Sequence, residues 1–80
     1  MSKQTHIIIL DTSNLSCPMP MVKLNKAIKK VLPDGLLEII ATDQGALSDI
    51  PSWCKRTGNA LVESSDENGQ YRFLIKKLAN

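Results

Sequence analysis

Residues 18–35 read PMPMVKLNKAIKKVLPDG, and the fold follows from how this stretch is interpreted. Met21, Leu24, Ile28 and Val31 recur at spacings of three and four, with Ala27 and Leu32 alongside, which marks one buried face of a helix. Lys23, Lys26, Lys29 and Lys30 fall elsewhere around the same helix, and Pro33-Asp34-Gly35 stops it. The spacing therefore predicts a helix over 18–32. Before it, HIIILDT (6–12) is a β-branched run ending in turn residues and reads as a buried strand. After it, LLEIIAT (36–42) is strand-like as well. The opening unit is β-α-β.

Further out, TDQG (42–45) is a loop and ALSDIPSWCKRTG (46–58) a second helix, with Ser48 or Asp49 as its cap, Pro51 in its first turn and Gly58 as its stop. NALVESS (59–65) and YRFLIKK (71–77) flank DENGQ, in which Asn68-Gly69 is a strong two-residue hairpin signal. Tyr71, Phe73 and Ile75 alternate with more polar positions, so the last strand has one apolar face. The order β-α-β-α-β-β predicts an α/β (α+β) two-layer sandwich: a four-stranded mixed sheet with two helices on one face. Crossovers between parallel strands should be right-handed.

Eighty residues suffice for one domain, 1–80, with no linker or repeat in view. A composition of 42% hydrophobic and 22% charged residues is that of a globular chain and excludes a disordered one. The net charge of +2 is too small to argue for a nucleic-acid partner. The apolar run near the start is too short for a secretory leader or a membrane span, so a cytoplasmic location with reduced thiols is expected. Two cysteines, Cys17 and Cys54, make no disulfide framework, there is no Cys-x-x-Cys pair, and His6 is the single histidine, so no metal site is expected.

Cys17 stands at the N-cap of the first predicted helix or one residue before it. Pro18 then takes about the first helical position, and Pro20 falls in the same turn, so neither missing N–H breaks a helical bond. The backbone N–H groups of Cys17 and Met19 are left open, and the positive end of the helix dipole points at the sulfur. Such a setting favours the thiolate, drawing the pKa below its free value of about 8.5, and a thiolate is what a nucleophile requires. The same field would stabilise a persulfide anion. The alternative is a buried structural cysteine, a common fate of free Cys. The position of Cys17, outside the apolar stripe and at a loop-to-helix junction, weighs against that alternative.

Cys54 reads the other way. Ile50, Trp53 and Cys54 lie at i, i+3 and i+4 on the second helix, a core-facing stripe; its functional alternative is a resolving thiol for Cys17. Asp43 is a good turn and capping residue, in a connection of the kind where α/β folds also build sites. The helix lysines are a solvated face or, with Lys55 and Arg56, a docking surface for an acidic partner. His6, opening a strand, reads as a surface or edge residue rather than an acid-base catalyst. Neither a serine–histidine–carboxylate cluster nor a phosphate loop is visible.

With these residues in view, LDTSNLSCPMP (10–20), TDQGALSDIPSWCKRTGNALV (42–62) and GQYRFLIKK (69–77) resemble the TusA/SirA-like family of small sulfur-carrier proteins. The shared motifs are Cys-Pro-x-Pro at the first helix, Asp-Ile-Pro-x-Trp-Cys and Thr-Gly at the second, and an aromatic last strand. The resemblance implies the same β-α-β-α-β-β sandwich, also seen in the C-terminal domain of a translation initiation factor. It implies that Cys17 accepts sulfane sulfur as a persulfide from a cysteine desulfurase or rhodanese-like donor. The sulfur would pass to an acceptor protein thiol, in the best-known branch toward 2-thiouridine in tRNA. No metal or organic cofactor takes part in that scheme.

Pro18 and Pro20 match the motif prolines, and Asp43 matches the acidic position of the family's Asp-Pro loop, which makes it a supporting residue. Partner docking would fall around the cysteine, on Met19, Met21, Lys23 and Lys26, with the carrier a monomer. Two positions depart from the family pattern: Asn14 stands where a glycine is usual, and Gln44 follows Asp43 in place of proline. Asn tolerates a left-handed backbone better than most residues, so the turn can survive. The competing functions are a thiol-based regulatory or redox module, whose internal version needs a reachable Cys54, and a nucleic-acid-binding module suggested by fold analogy and the lysines.

Overall fold

Alternation of apolar residues builds the sheet. In a computed structural model that describes residues 7–16 and 18–78, the strands are β1 (Ile7–Thr12), β2 (Leu36–Ala41), β3 (Ala60–Glu67) and β4 (Gln70–Lys76). Helices α1 (Met19–Ala27) and α2 (Ala46–Thr57) follow β1 and β2 respectively. His6 and Cys17 lie outside the described residues. The strand order is β1-β2-β4-β3; β1 runs parallel to β2, and β4 is antiparallel to both β2 and β3. The sheet is mixed, as the β-α-β-α-β-β order predicts.

Register decides which residues meet the helices. Ile8, Leu37 and Ile75 form one cross-strand row, Leu10, Ile39 and Phe73 the next, and Thr12, Ala41 and Tyr71 the third. These rows point to one face, where Leu24 of α1 and Ile50, Trp53 and Cys54 of α2 complete the core. Leu24, Leu37, Ile39, Ile50 and Ile75 are wholly excluded from solvent, and each such side chain contributes roughly 1.5–3 kcal/mol relative to exposure. The opposite face carries the Arg72–Glu38 ion pair at 3.2 Å and stays open.

The hairpin forms as its turn residues dictate. Asn68 and Gly69 both take positive φ, 54° and 81°, closing a two-residue turn between β3 and β4. β3 carries a register shift between Leu61 and Glu63, where Val62 is the extra residue.

Three local expectations are corrected. The first helix does not run to residue 32: α1 ends at Ala27, tightens into a 3-10 turn over Ile28–Lys30, and leaves Val31 extended. Val31 still reaches the core, but Leu32 swings out to 74% exposure. Pro18 is the N-cap of α1 and not its first helical position, so Met19 and Pro20 are the first two helical residues. Position 17 is one residue before the cap, the second of the two expected alternatives. The second helix begins at Ala46 with Gly45 as its cap. Neither Ser48 nor Asp49 caps it, and Pro51 therefore sits in the second turn instead of the first.

Candidate functional site

Parallel pairing of Thr12 with Ala41 sends two loops out of the same end of the sheet. One leads through residues 13–18 into α1, the other through 42–45 into α2. The N-terminal, positive ends of both helices thereby lie at that end of the sheet. α1 has no acidic residue in its first turn to offset that field.

The loop before Cys17 is shaped by short-range hydrogen bonds. Asp11 Oδ1 accepts the Ser13 N–H at 2.9 Å, and Thr12 O accepts the Leu15 N–H at 3.1 Å. The Ser13 side chain, then its backbone N–H, holds the exposed Asp11 carboxyl below its usual range, with Arg72 adding a smaller electrostatic contribution. Asn14 sits in the left-handed region at φ 67°, the conformation that its place in the family's glycine position requires. Its N–H donates to Thr42 Oγ1 at 2.8 Å. Beneath, the buried Thr12 hydroxyl donates to Ile40 O at 2.6 Å and ties the ends of β1 and β2 together.

Across position 17, the Met19 N–H donates to Ser16 O at 2.9 Å. This corrects the expectation that the Met19 N–H is left open. The first helical bond of α1 runs from the Val22 N–H to Pro18 O at 3.1 Å. Pro18 and Pro20 both stand where a missing N–H costs no helical bond, and Pro20 is buried.

Asp43 belongs to the second loop. Its Oδ2 accepts the Gly45 N–H at 3.1 Å and its backbone O accepts the Ala46 N–H at 3.0 Å, so this residue opens α2. Pro20, Met21, Asp43, Ala46 and Asp49 line one small cleft between the two helix starts, which puts Asp43 beside the motif proline. Of the docking candidates, Met19, Lys23 and Lys26 are exposed, whereas Met21 is partly buried against the core. Val22 and Leu47 add exposed apolar surface at 38% and 45%, and neither was singled out by the sequence pattern. Thr42 was also missed; its signal is a hydroxyl at the strand end of TDQG, opposite a residue forced left-handed.

Cys54 is 3% exposed, and burial pushes its thiol from an ordinary 9.0 up to about 11. It is a core residue, as the helical stripe predicts. No helix among the described residues is long and apolar enough to cross a membrane.

Comparison with known proteins agrees with this architecture. A SirA-like protein from Desulfitobacterium hafniense superposes with a TM-score of 0.77 over 92% of this chain and 100% of its own, at 17% identity, a likeness of fold. The sulfur carrier protein TusA of Allochromatium vinosum is 43% identical over 68 residues, which is 85% of this chain and 90% of the relative. TusA of Pseudomonas aeruginosa is 41% identical over 78 residues, covering 95% of this chain and 99% of the relative. The family model described as sulfurtransferase TusA matches residues 8–77, from the second residue of β1 to just beyond β4. Matched along almost its whole length by that family and by relatives of such identity, the chain belongs to the TusA sulfurtransferase family.

Proposed function

We propose that this chain is a sulfur carrier, a single domain whose working group is the Cys17 thiol. The Cys17 thiolate attacks the terminal sulfur of a donor persulfide, as on a cysteine desulfurase or rhodanese-like protein. A new S–S bond forms at Cys17, the donor's S–S bond breaks, and the donor cysteine leaves as thiolate and takes up a proton. An acceptor protein's thiolate then attacks the terminal sulfur on Cys17, which leaves as thiolate in its turn. Sulfane sulfur moves with no net oxidation, so the scheme asks for neither a metal nor an organic cofactor. Transfer toward tRNA 2-thiouridine is one route such an acceptor could serve.

The observation that carries this reading is the family match over residues 8–77, whose relatives are sulfur carriers. The burial of Cys54 adds to it, because it leaves Cys17 as the thiol to be used. In this reading Pro18, Pro20 and Asp43 support the site, and Met19, Met21, Lys23 and Lys26 meet the partner. The test is to incubate the protein with a cysteine desulfurase and cysteine and to map the product by intact and peptide mass. One added sulfur on Cys17, absent in Cys17→Ser, is the expected result. Failure of the wild-type chain to gain sulfur, or equal gain in Cys17→Ser, overturns the reading.

A further inference from the structure

We infer that the pocket between the C-terminal ends of α1 and α2 binds phosphate, free or as the monoester of a small molecule. It lies at the far end of the helices from the cleft that holds Asp43, and the inference does not depend on the carrier reading. The floor of the pocket follows from register. Leu37, Ile75 and Leu61 meet across β2, β4 and β3 on the side of the helices, and two residues along the same alternation brings Gly35, Lys77 and Asn59 to that side. The ladder continues there, with the Lys77 N–H donating to Gly35 O at 2.9 Å. Val31 closes over Gly35, its Cγ1 only 2.9 Å from where a Cβ would stand. Lys77 and Asn59 instead floor a pocket of about 330 Å³, walled by Asn25 and Lys29 on one side and by Trp53 and Thr57 of α2 on the other.

Around this pocket the acceptors are engaged within the protein and the donors are left over. Asn25 Oδ1 takes the Trp53 indole N–H at 2.8 Å, which leaves the Asn25 Nδ2 to donate. Asn59 Oδ1 accepts the Leu78 N–H, Asn59 Nδ2 donates to Thr57 Oγ1, and the Thr57 hydroxyl donates to Trp53 O at 2.7 Å. Cys54 O receives both the Gly58 and the Asn59 N–H, so the negative end of the α2 dipole is met by its own chain. No carboxylate lines the pocket, and neither Lys29 nor Lys77 has an ion-pair partner among the described residues. A helix C-terminus accounts for Lys29, but Lys77 stands on the sheet and is half-buried. A cation partly withdrawn from water without a counter-charge is unfavourable, and an anion held between the two lysines removes that cost. Two positive charges and an amide donor, reaching one space from helix and sheet, suit an oxyanion with several oxygens, and lysines bind phosphate as point charges. The Trp53 ring is 1% exposed, so no base can stack on it and the phosphate itself is what is recognised.

The test is a titration with sodium phosphate followed by proton–nitrogen correlation spectra, with chloride adjusted to hold the ionic strength constant, and a parallel titration with AMP. Saturating shifts are expected at the Asn25 side-chain amide, the Trp53 indole N–H and the Lys77 backbone amide, while loop 42–45 stays unmoved. Lys77→Gln and Lys29→Gln should each weaken binding about five- to tenfold, the scale of one partly exposed charge-assisted contact. Lys76→Gln makes the same change of charge one residue away on the opposite face of the sheet, and should leave binding as it was. Lys77→Arg keeps the charge and should retain binding, which preserves a readout should Lys77→Gln fold poorly. The tighter of phosphate and AMP tells whether the site takes the free ion or the monoester. Shifts that do not saturate with either ligand, shifts centred on the helix starts, or equal weakening by Lys76→Gln and Lys77→Gln overturn the inference. Persulfide loading of Cys17 plays no part in this readout, so failure here and failure of the carrier reading are told apart.

Discussion

The indole N–H of Trp53 donates to Asn25 Oδ1 at 2.8 Å, joining α2 to α1 from a side chain that is only 1% exposed. Burial of the ring supplies apolar contact, and Asn25 removes the cost of burying its one polar group. Asn25→Leu strands that N–H and is expected to cost about 1–3 kcal/mol, whereas Asn25→Asp keeps an acceptor and most of the stability. Trp53 is the single tryptophan, so urea unfolding followed by its fluorescence reads both variants directly.

Gly45 and Asp43 are expected to be energetically coupled. A Cβ added at Gly45 would stand 2.8 Å from Asp43 Oδ2, although the φ of −59° suits any residue. Gly45→Ala must therefore displace the carboxylate that accepts the Gly45 N–H, at a cost of about 1–2 kcal/mol. Once Asp43→Ala has removed that carboxylate, the clash disappears and the same glycine substitution should cost little. A double-mutant cycle read by thermal melting should return a clearly non-additive term.

Cys54 gives the stability a dependence on alkaline pH. Its folded-state pKa is raised, so below an ordinary 9.0 the thiol is neutral in both states and its contribution is complete. Between 9.0 and about 11 the unfolded chain releases the proton while the folded one retains it, and stability falls as pH rises. Cys54→Ala should flatten this part of the stability–pH curve. A native thiol count by a colourless disulfide reagent that releases a coloured thiolate should find Cys54 only after denaturation.

Asn14 tests the left-handed turn before the cysteine. At φ 67°, Asn14→Gly should be neutral or slightly stabilising, and Asn14→Ala should cost about 1 kcal/mol. Both variants keep the backbone N–H that Thr42 accepts, so differences in melting temperature report the backbone conformation.

What the sequence made legible was whatever depends on periodicity. The helical stripe of Ile50, Trp53 and Cys54, the alternation of Tyr71, Phe73 and Ile75, and the Asn68-Gly69 turn each appear as read, because each is set by a local repeat and a local burial demand. Helix ends were read less well. Ser48 and Asp49 are natural caps by residue type, but α2 starts earlier, at Gly45 with no side-chain cap, where Asp43 takes the Gly45 N–H on its carboxylate and the Ala46 N–H on its backbone O. Pro18 takes the cap position because Ser16 O already holds the Met19 N–H, a turn that composition does not announce. The Thr42–Asn14 contact was out of reach for a different reason: it depends on the parallel register of β1 and β2, which joins residues far apart in the chain.

The place of β4 has a consequence for how the protein is made. β4 follows its sheet neighbours in the chain yet lies between β2 and β3, and it brings Tyr71, Phe73 and Ile75 into the core. While a ribosome is still short of residue 70, neither β2 nor β3 has its inner partner, and Leu37, Ile39 and Trp53 have no closed core to enter. Folding must wait until almost all of the described chain has emerged, unlike a larger protein whose early domains fold during synthesis. A nascent chain stalled after Gly69 should be cut readily by added protease, and one extended well past Lys77 should resist it. The barrier to a half-made carrier is thus built into the order of its strands.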